Sequence, residues 1–182
     1  MFLPQRPYLP LGTLRAAVCY PAAPDAFGDA SVCAALDRCG LGEFVNALDR
    51  EERWDRTLSL GQQQRVAFAR VLLHRPSWVF MDEATSALDE ASQEAVLSLF
   101  EGELADASAL SIGHRPGLEA FHTRVLHFRP TREGTAHLLS DPVDRTSAAR
   151  RCGWQAGQAE ASSHVHRLPL ERCGTMARLR SA

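Results

Sequence analysis

Residues 58–89 restrict this chain more than any other stretch. The segment begins Leu58-Ser59-Leu60-Gly61-Gln62-Gln63-Gln64-Arg65, runs through helix formers to His74 and halts at Pro76. It resumes as Trp78-Val79-Phe80-Met81-Asp82-Glu83 and then turns through Ala84-Thr85-Ser86-Ala87-Leu88-Asp89. Val66, Ala69, Leu72 and Leu73 recur on one helical face. His74 and Arg75 suit the negative end of a helix dipole, and proline cannot continue the helix. The short apolar run of Trp78–Met81 reads as a buried strand. A helix feeding such a strand, with Asp89 as a plausible cap on a further helix, points to an α/β fold.

The chemistry of the stretch sits at its element ends. Ser59 and Gly61 at a helix N-terminus leave N–H groups and a hydroxyl directed outward, which favours an anion. Serine is also an ordinary N-cap, so this feature alone is ambiguous. Asp82 and Glu83 lie at the carboxyl end of a strand, where ligands gather in open α/β sheets. One carboxylate there can hold Mg²⁺ and the next can polarise a water. A strand that ends in solvent with two charges is the plain alternative.

The order and spacing resemble the ATP-binding cassette (ABC) ATPases. Leu58-Ser59-Leu60-Gly61-Gln62 is similar to their signature motif, with Leu60 where a second glycine is more usual. Val79-Phe80-Met81-Asp82-Glu83 is similar to the Walker B strand plus catalytic glutamate, and Ser86-Ala87-Leu88-Asp89 to the D-loop. Phe2-Leu3-Pro4-Gln5-Arg6-Pro7-Tyr8 upstream and Gly113-His114-Arg115-Pro116 downstream most resemble the branch with a fused membrane domain. That branch includes bacterial peptide and vitamin B12 transporters and peroxisomal fatty-acyl transporters. The resemblance covers about residues 1–140.

It implies a partial P-loop NTPase fold, with a helical subdomain and an incomplete, mainly parallel sheet. It implies ATP and Mg²⁺ as cofactors. Glu83 and His114 take catalytic positions; Gln5, Ser59, Gly61, Gln62, Asp82 and Asp89 take nucleotide-site positions; Asp82 and Gln5 take metal positions. The implied partners are a second nucleotide-binding domain, stacked head to tail, and the membrane domain of a transporter. The implied location is the cytoplasmic face of a bacterial inner membrane.

Composition sets the remaining bounds. The chain of 182 residues is 45% hydrophobic and 23% charged, enough for one domain with a core. A net charge of −2 gives no reason to expect nucleic acid as a partner. Five cysteines, Cys19, Cys33, Cys39, Cys152 and Cys173, show no paired metal spacing, and no signal peptide is evident. Free thiols in a reducing compartment are expected. Cys152, His164, His166 and Cys173 fit no common zinc site. No apolar run approaches the roughly 20 residues of a membrane helix.

Along the chain, Phe2–Gln5 reads as a strand end stopped by Pro4. The lone Gln5 would be a loop amide but for its place in the series. Thr13 is expected to cap a helix over Leu14–Val18, with further helices over Ala30–Cys39 and Phe44–Leu48. By resemblance this is the subdomain that docks on a membrane part. Tyr8, Leu9, Leu11 and Leu14 would serve equally as docking face or as core. Asp89–Ala105 reads as a helix and Ala109–Gly113 as a buried strand. A histidine after a strand is usually structural, but His114 matches the family's switch histidine, which bonds the γ-phosphate. Thr123–Phe128 and Thr135–Leu139 read as a hairpin across a 130–134 turn. Residues 141–182 lose periodicity and are expected to form a flexible tail.

The sequence contains no G-x-x-x-x-G-K-[ST] loop and no lysine near the N-terminus. In P-loop proteins that loop grips the β- and γ-phosphates. The expectation is a piece of a larger transporter, marginally stable and without ATP turnover on its own. The second reading is a non-catalytic partner or decoy cassette. A chromosome-maintenance ATPase lobe is excluded, because Gln5 and Ser59 lie only about fifty residues apart with no heptads between them.

Overall fold

The computed structural model describes residues 1–115, 118–130, 136–143 and 177–180. They fall into two compact units, Met1–Ser108 and Ala109–Ser181.

The first unit is built on α4, Leu60–His74. Gln64, Val66, Ala67, Phe68, Ala69, Arg70 and Val71 are all buried, so this helix is covered on nearly every side. Ser59 is its N-cap, and Arg75 ends it in the left-handed conformation just before Pro76. Against it pack α1 (Leu14–Cys19) and α2 (Asp29–Arg38). The Thr13 hydroxyl accepts from the Ala16 N–H and caps α1 as expected. Val18, Val32, Leu36, Leu41, Trp54 and Phe68 form the core between them. Arg70 also lies inside. It donates from Nε to the Ala17 carbonyl at 2.8 Å and from a terminal nitrogen to the Tyr8 carbonyl at 2.9 Å. Burial pushes its guanidinium down to about 10.

Gly12–Thr13 (β2) pairs antiparallel with Glu51–Glu52 (β3). Gly12 has φ of 115°, a conformation that needs the absence of a side chain. The segment expected to be helical over Phe44–Leu48 is a 3₁₀ helix, Gly42–Ala47, and the short helix α3 (Trp54–Thr57) leads from β3 to α4.

Phe2–Leu3 (β1) runs parallel to Trp78–Asp82 (β4), with Phe2 opposite Phe80 and Leu3 opposite Met81. The sequence reads β4 as a buried strand. Instead burial alternates: Val79 and Met81 turn into the core, while Trp78 is 48% and Phe80 43% exposed. Phe2 lies on the same outward face, and the rings of Trp78 and Phe80 stack there. Period-two geometry puts Asp82 on this face as well.

After β4 the chain turns into α5, Glu90–Ser98. The expected helix over Asp89–Ala105 is shorter: it tightens to 3₁₀ over Leu99–Glu101 and breaks at Gly102, where the backbone leaves helical angles.

In the second unit, β5 (Ser108–Ile112) and β6 (Arg124–Pro130) each pair antiparallel with β8 (Ala177–Arg180). β6 also pairs antiparallel with β7 (Ala136–Pro142). The hairpin strands stand where the sequence indicated; their turn lies outside the described residues. β8 belongs to the segment in which the sequence shows no periodicity. The rest of 144–182, including Cys152, His164, His166 and Cys173, lies outside the described residues.

Candidate functional site

Asp82 ends β4 with a half-buried carboxylate and has no hydrogen-bond or ion-pair partner among the described residues. A carboxylate so placed is open to a hard cation. Among the described residues no cluster of three His, Cys, Asp or Glu side chains could hold a metal by itself.

Glu83 follows with φ of 51°, in the left-handed region that non-glycine residues seldom occupy. Its carbonyl accepts from the Ser86 N–H at 3.0 Å and from Gln64 Nε2 at 3.3 Å. Such strain persists where the surroundings over-determine it, and it concentrates at functional sites.

The first turn of α4 is a closed capping box. The Ser59 hydroxyl accepts from the Gln62 N–H at 3.2 Å, and the Gln62 side-chain oxygen accepts from the Ser59 N–H at 2.9 Å. Gln62 Nε2 also donates to Glu43 at 3.2 Å. Gly61 has a reason of its own to be glycine: a Cβ there would stand 2.8 Å from the Ala87 carbonyl oxygen. Asp89 caps α5 through the Ser92 N–H at 2.7 Å.

Gln5 is exposed, and its carbonyl accepts from Gln64 Nε2 at 2.9 Å. Gln64 itself was missed by the sequence reading. It is fully buried, and it brings the backbones of Gln5, Glu83 and Ala87 together. A signal for it was present. Gly61, Gln64, Phe68 and Val71 follow helical spacing, so Gln64 is an amide on an apolar stripe.

Leu9 and Leu14 are core residues at 6% and 1% exposure, whereas Tyr8 and Leu11 stand out at 61% and 69%. Tyr8 also borders a cleft of about 590 Å³ lined by Phe2, Pro7, Tyr20, Arg70 and His74. No helix among the described residues is long and apolar enough to cross a membrane. His114 lies in the second unit, exposed, just beyond the carboxyl end of β5.

Comparison with known proteins gives the lineage. The family model described as ABC transporter matches residues 27–86. An uncharacterised ABC transporter ATP-binding protein of Haemophilus influenzae is 43% identical over 126 residues, which cover 69% of this chain and 21% of that protein. The lysosomal cobalamin transporter of Mus musculus is 38% identical over 136 residues, covering 69% of this chain and 22% of it. The structure of a bacterial Atm1-family ABC exporter with ATP bound superposes with a TM-score of 0.57 at 32% identity, over 65% of this chain and 22% of that one. The chain thus spans about a fifth of the length of these relatives. By these similarities the chain belongs to the ABC transporter ATP-binding family.

Proposed function

We propose that this chain forms part of the ATP-binding and ATP-hydrolysing machinery of an ABC transporter and helps couple hydrolysis to transmembrane transport. The observation that carries the reading is the end of β4. There Asp82, without a hydrogen-bond or ion-pair partner among the described residues, is followed by Glu83 in a strained conformation, and the Gln64 side chain bridges the Glu83 backbone to those of Gln5 and Ala87.

In this reading Asp82 holds Mg²⁺, with the Gln5 side chain reaching the same ion. The ion's part is to neutralise charge that develops on the phosphates. Glu83 orients and polarises the attacking water, and His114 bonds the γ-phosphate. Ser59, Gly61 and Gln62 face the nucleotide held by a second nucleotide-binding domain, stacked head to tail. Asp89 and its turn lie along that interface. Tyr8 and Leu11, both exposed and a few residues after Gln5 in the chain, dock on the membrane domain at the cytoplasmic face of the membrane.

The capped first turn of α4, which carries Ser59, Gly61 and Gln62, favours a second reading, a non-catalytic partner: the chain completes the site of a P-loop-bearing cassette. The test mixes the chain with a P-loop-bearing cassette and measures ATP affinity by titration. Tightening of about 5-fold or more, lost in Ser59→Ala, is expected for coupled sites. Unchanged ATP affinity over a full titration would count against the role. Glu83-dependent hydrolysis by the chain alone would overturn the claim that it needs a partner.

A further inference from the structure

We propose that Gln64 is a positioning residue for the Asp82–Glu83 site: its buried carboxamide joins the Gln5 backbone, the Glu83 backbone and the Ser86–Ala87 turn into one rigid unit. The proposal gains its catalytic meaning from the reading of Glu83 given above. The joint itself is a matter of geometry and needs no nucleotide.

Gln64 has no accessible surface. Its Nε2 lies 2.9 Å from the Gln5 carbonyl, 3.3 Å from the Glu83 carbonyl and 3.2 Å from Ser86 Oγ. Its Oε1 accepts from the Ala87 N–H at 3.0 Å. A carboxamide has two N–H donors, so the three acceptors share them. In a dry interior each of these bonds is stronger than in water, and an unmet one is costly.

The partners are all backbone or turn atoms of the segments that carry the site. The Glu83 carbonyl receives both the Gln64 amide and the Ser86 N–H, and the pair of bonds fixes the peptide plane that follows Glu83. That constraint acts on a residue at φ of 51°, where a glutamate stays only when its neighbours hold it. Ala87 is held from both ends by the same helix. Its N–H meets Gln64, and its carbonyl presses on Gly61, one turn earlier in α4. A shift of the Gln5 backbone or of the first turn of α4 therefore reaches Glu83 directly. The link runs from the Gln64 side chain to the backbones of Gln5, Glu83 and Ala87 and to Ser86 Oγ.

Residue-resolved amide exchange on the full chain tests this, with Gln64→Met and Gln64→Glu. Methionine keeps length and flexibility but neither donates nor accepts well; glutamate retains an oxygen for the Ala87 N–H. In Gln64→Met the Ala87 and Ser86 amides should exchange about tenfold faster, while Val18 and Leu36 in α1 and α2 change by less than about threefold. In Gln64→Glu the Ala87 amide should return to within about threefold of the native rate. Equal acceleration across the unit would make Gln64 a core residue only and overturn the proposal. So would an unchanged Ala87 amide in Gln64→Met, or a Gln64→Glu variant that matches it. If Gln64→Met does not fold, Gln64→Glu decides by the same contrast between Ala87 and Ser86. Since no nucleotide is present, failure here leaves the ATP reading standing, and failure of the ATP titration leaves this joint standing.

Discussion

The carbonyl oxygen of Ala87 occupies the space that a side chain on Gly61 would need: a Cβ built there stands 2.8 Å from it. The obstacle is backbone, so it cannot swing away as a flexible side chain would. Gly61→Ala should therefore destabilise the chain by about 1–3 kcal/mol through overpacking. Ser59→Ala, which opens the capping box, should cost about 1 kcal/mol. Urea midpoints compare the two directly. Gly61→Ala at native stability would mean that the turn after β4 is loose.

Tyr8 and Leu11 separate from Leu9 and Leu14 by burial, and the variants should separate likewise. Tyr8→Ser and Leu11→Ser should alter unfolding free energy by less than about 0.5 kcal/mol, as surface changes do. Leu9→Ala and Leu14→Ala should each cost about 2–5 kcal/mol. In a co-purification with the membrane domain of a related transporter, only the first pair should weaken binding without loss of fold. Retained binding in the Tyr8/Leu11 double variant would remove these residues from the docking face.

Arg15 lies between two acids, donating from Nε to Asp49 at 2.8 Å and from a terminal nitrogen to Asp29 at 2.7 Å. The bond from Arg15 holds the Asp49 carboxyl below its usual range. A depressed carboxyl adds stability that is complete above the unfolded value of about 3.9 and disappears as pH falls through the lower folded value. Asp49→Asn should flatten the stability profile in that acid window and leave its slope at neutral pH unchanged. Equal acid slopes in the two chains would show the pair to be too solvated to matter.

Cys39 is buried, and burial pushes its thiol up to about 12. Cys19 is buried and shifted upward for the same reason. Thiolate is the reactive form, so both should resist alkylation at pH 8, while half-buried Cys33 reacts first. Mass mapping in a chain with serine at 152 and 173 reads the order. The linkage sign follows. A thiol whose folded value is raised contributes fully below the unfolded value of about 8.5, and that contribution is lost as pH rises toward about 12. Cys39→Ala should lessen alkaline destabilisation in that window.

Local chemistry was legible wherever the deciding forces act within a turn or two. Thr13, Ser59 and Asp89 cap their helices by bonds to residues three positions on, and such spacing is visible in the bare sequence. The β4 strand, its terminal Asp82–Glu83 pair and the stop at Pro76 were equally plain. Burial was less so. Trp78 and Phe80 are as apolar as Val79 and Met81, yet they point outward, because side chains alternate along a strand and only one face here meets the core. Leu9 and Leu11 also differ in burial, in a stretch that is not a strand, where no period foretells it.

What the sequence determined by itself was the helices α1, α2 and α4 with their caps, the β4 strand with its terminal carboxylates, and the order of motifs that marks the family. Tertiary structure alone decided how those ends are held together. Gln64 reads as one more polar residue in a run of three, and only folding carries it to Gln5, Glu83 and Ala87, distant by 59, 19 and 23 positions. The physical reason is that a buried amide takes its partners from whatever backbone reaches it in space, and no local pattern records which backbone that will be.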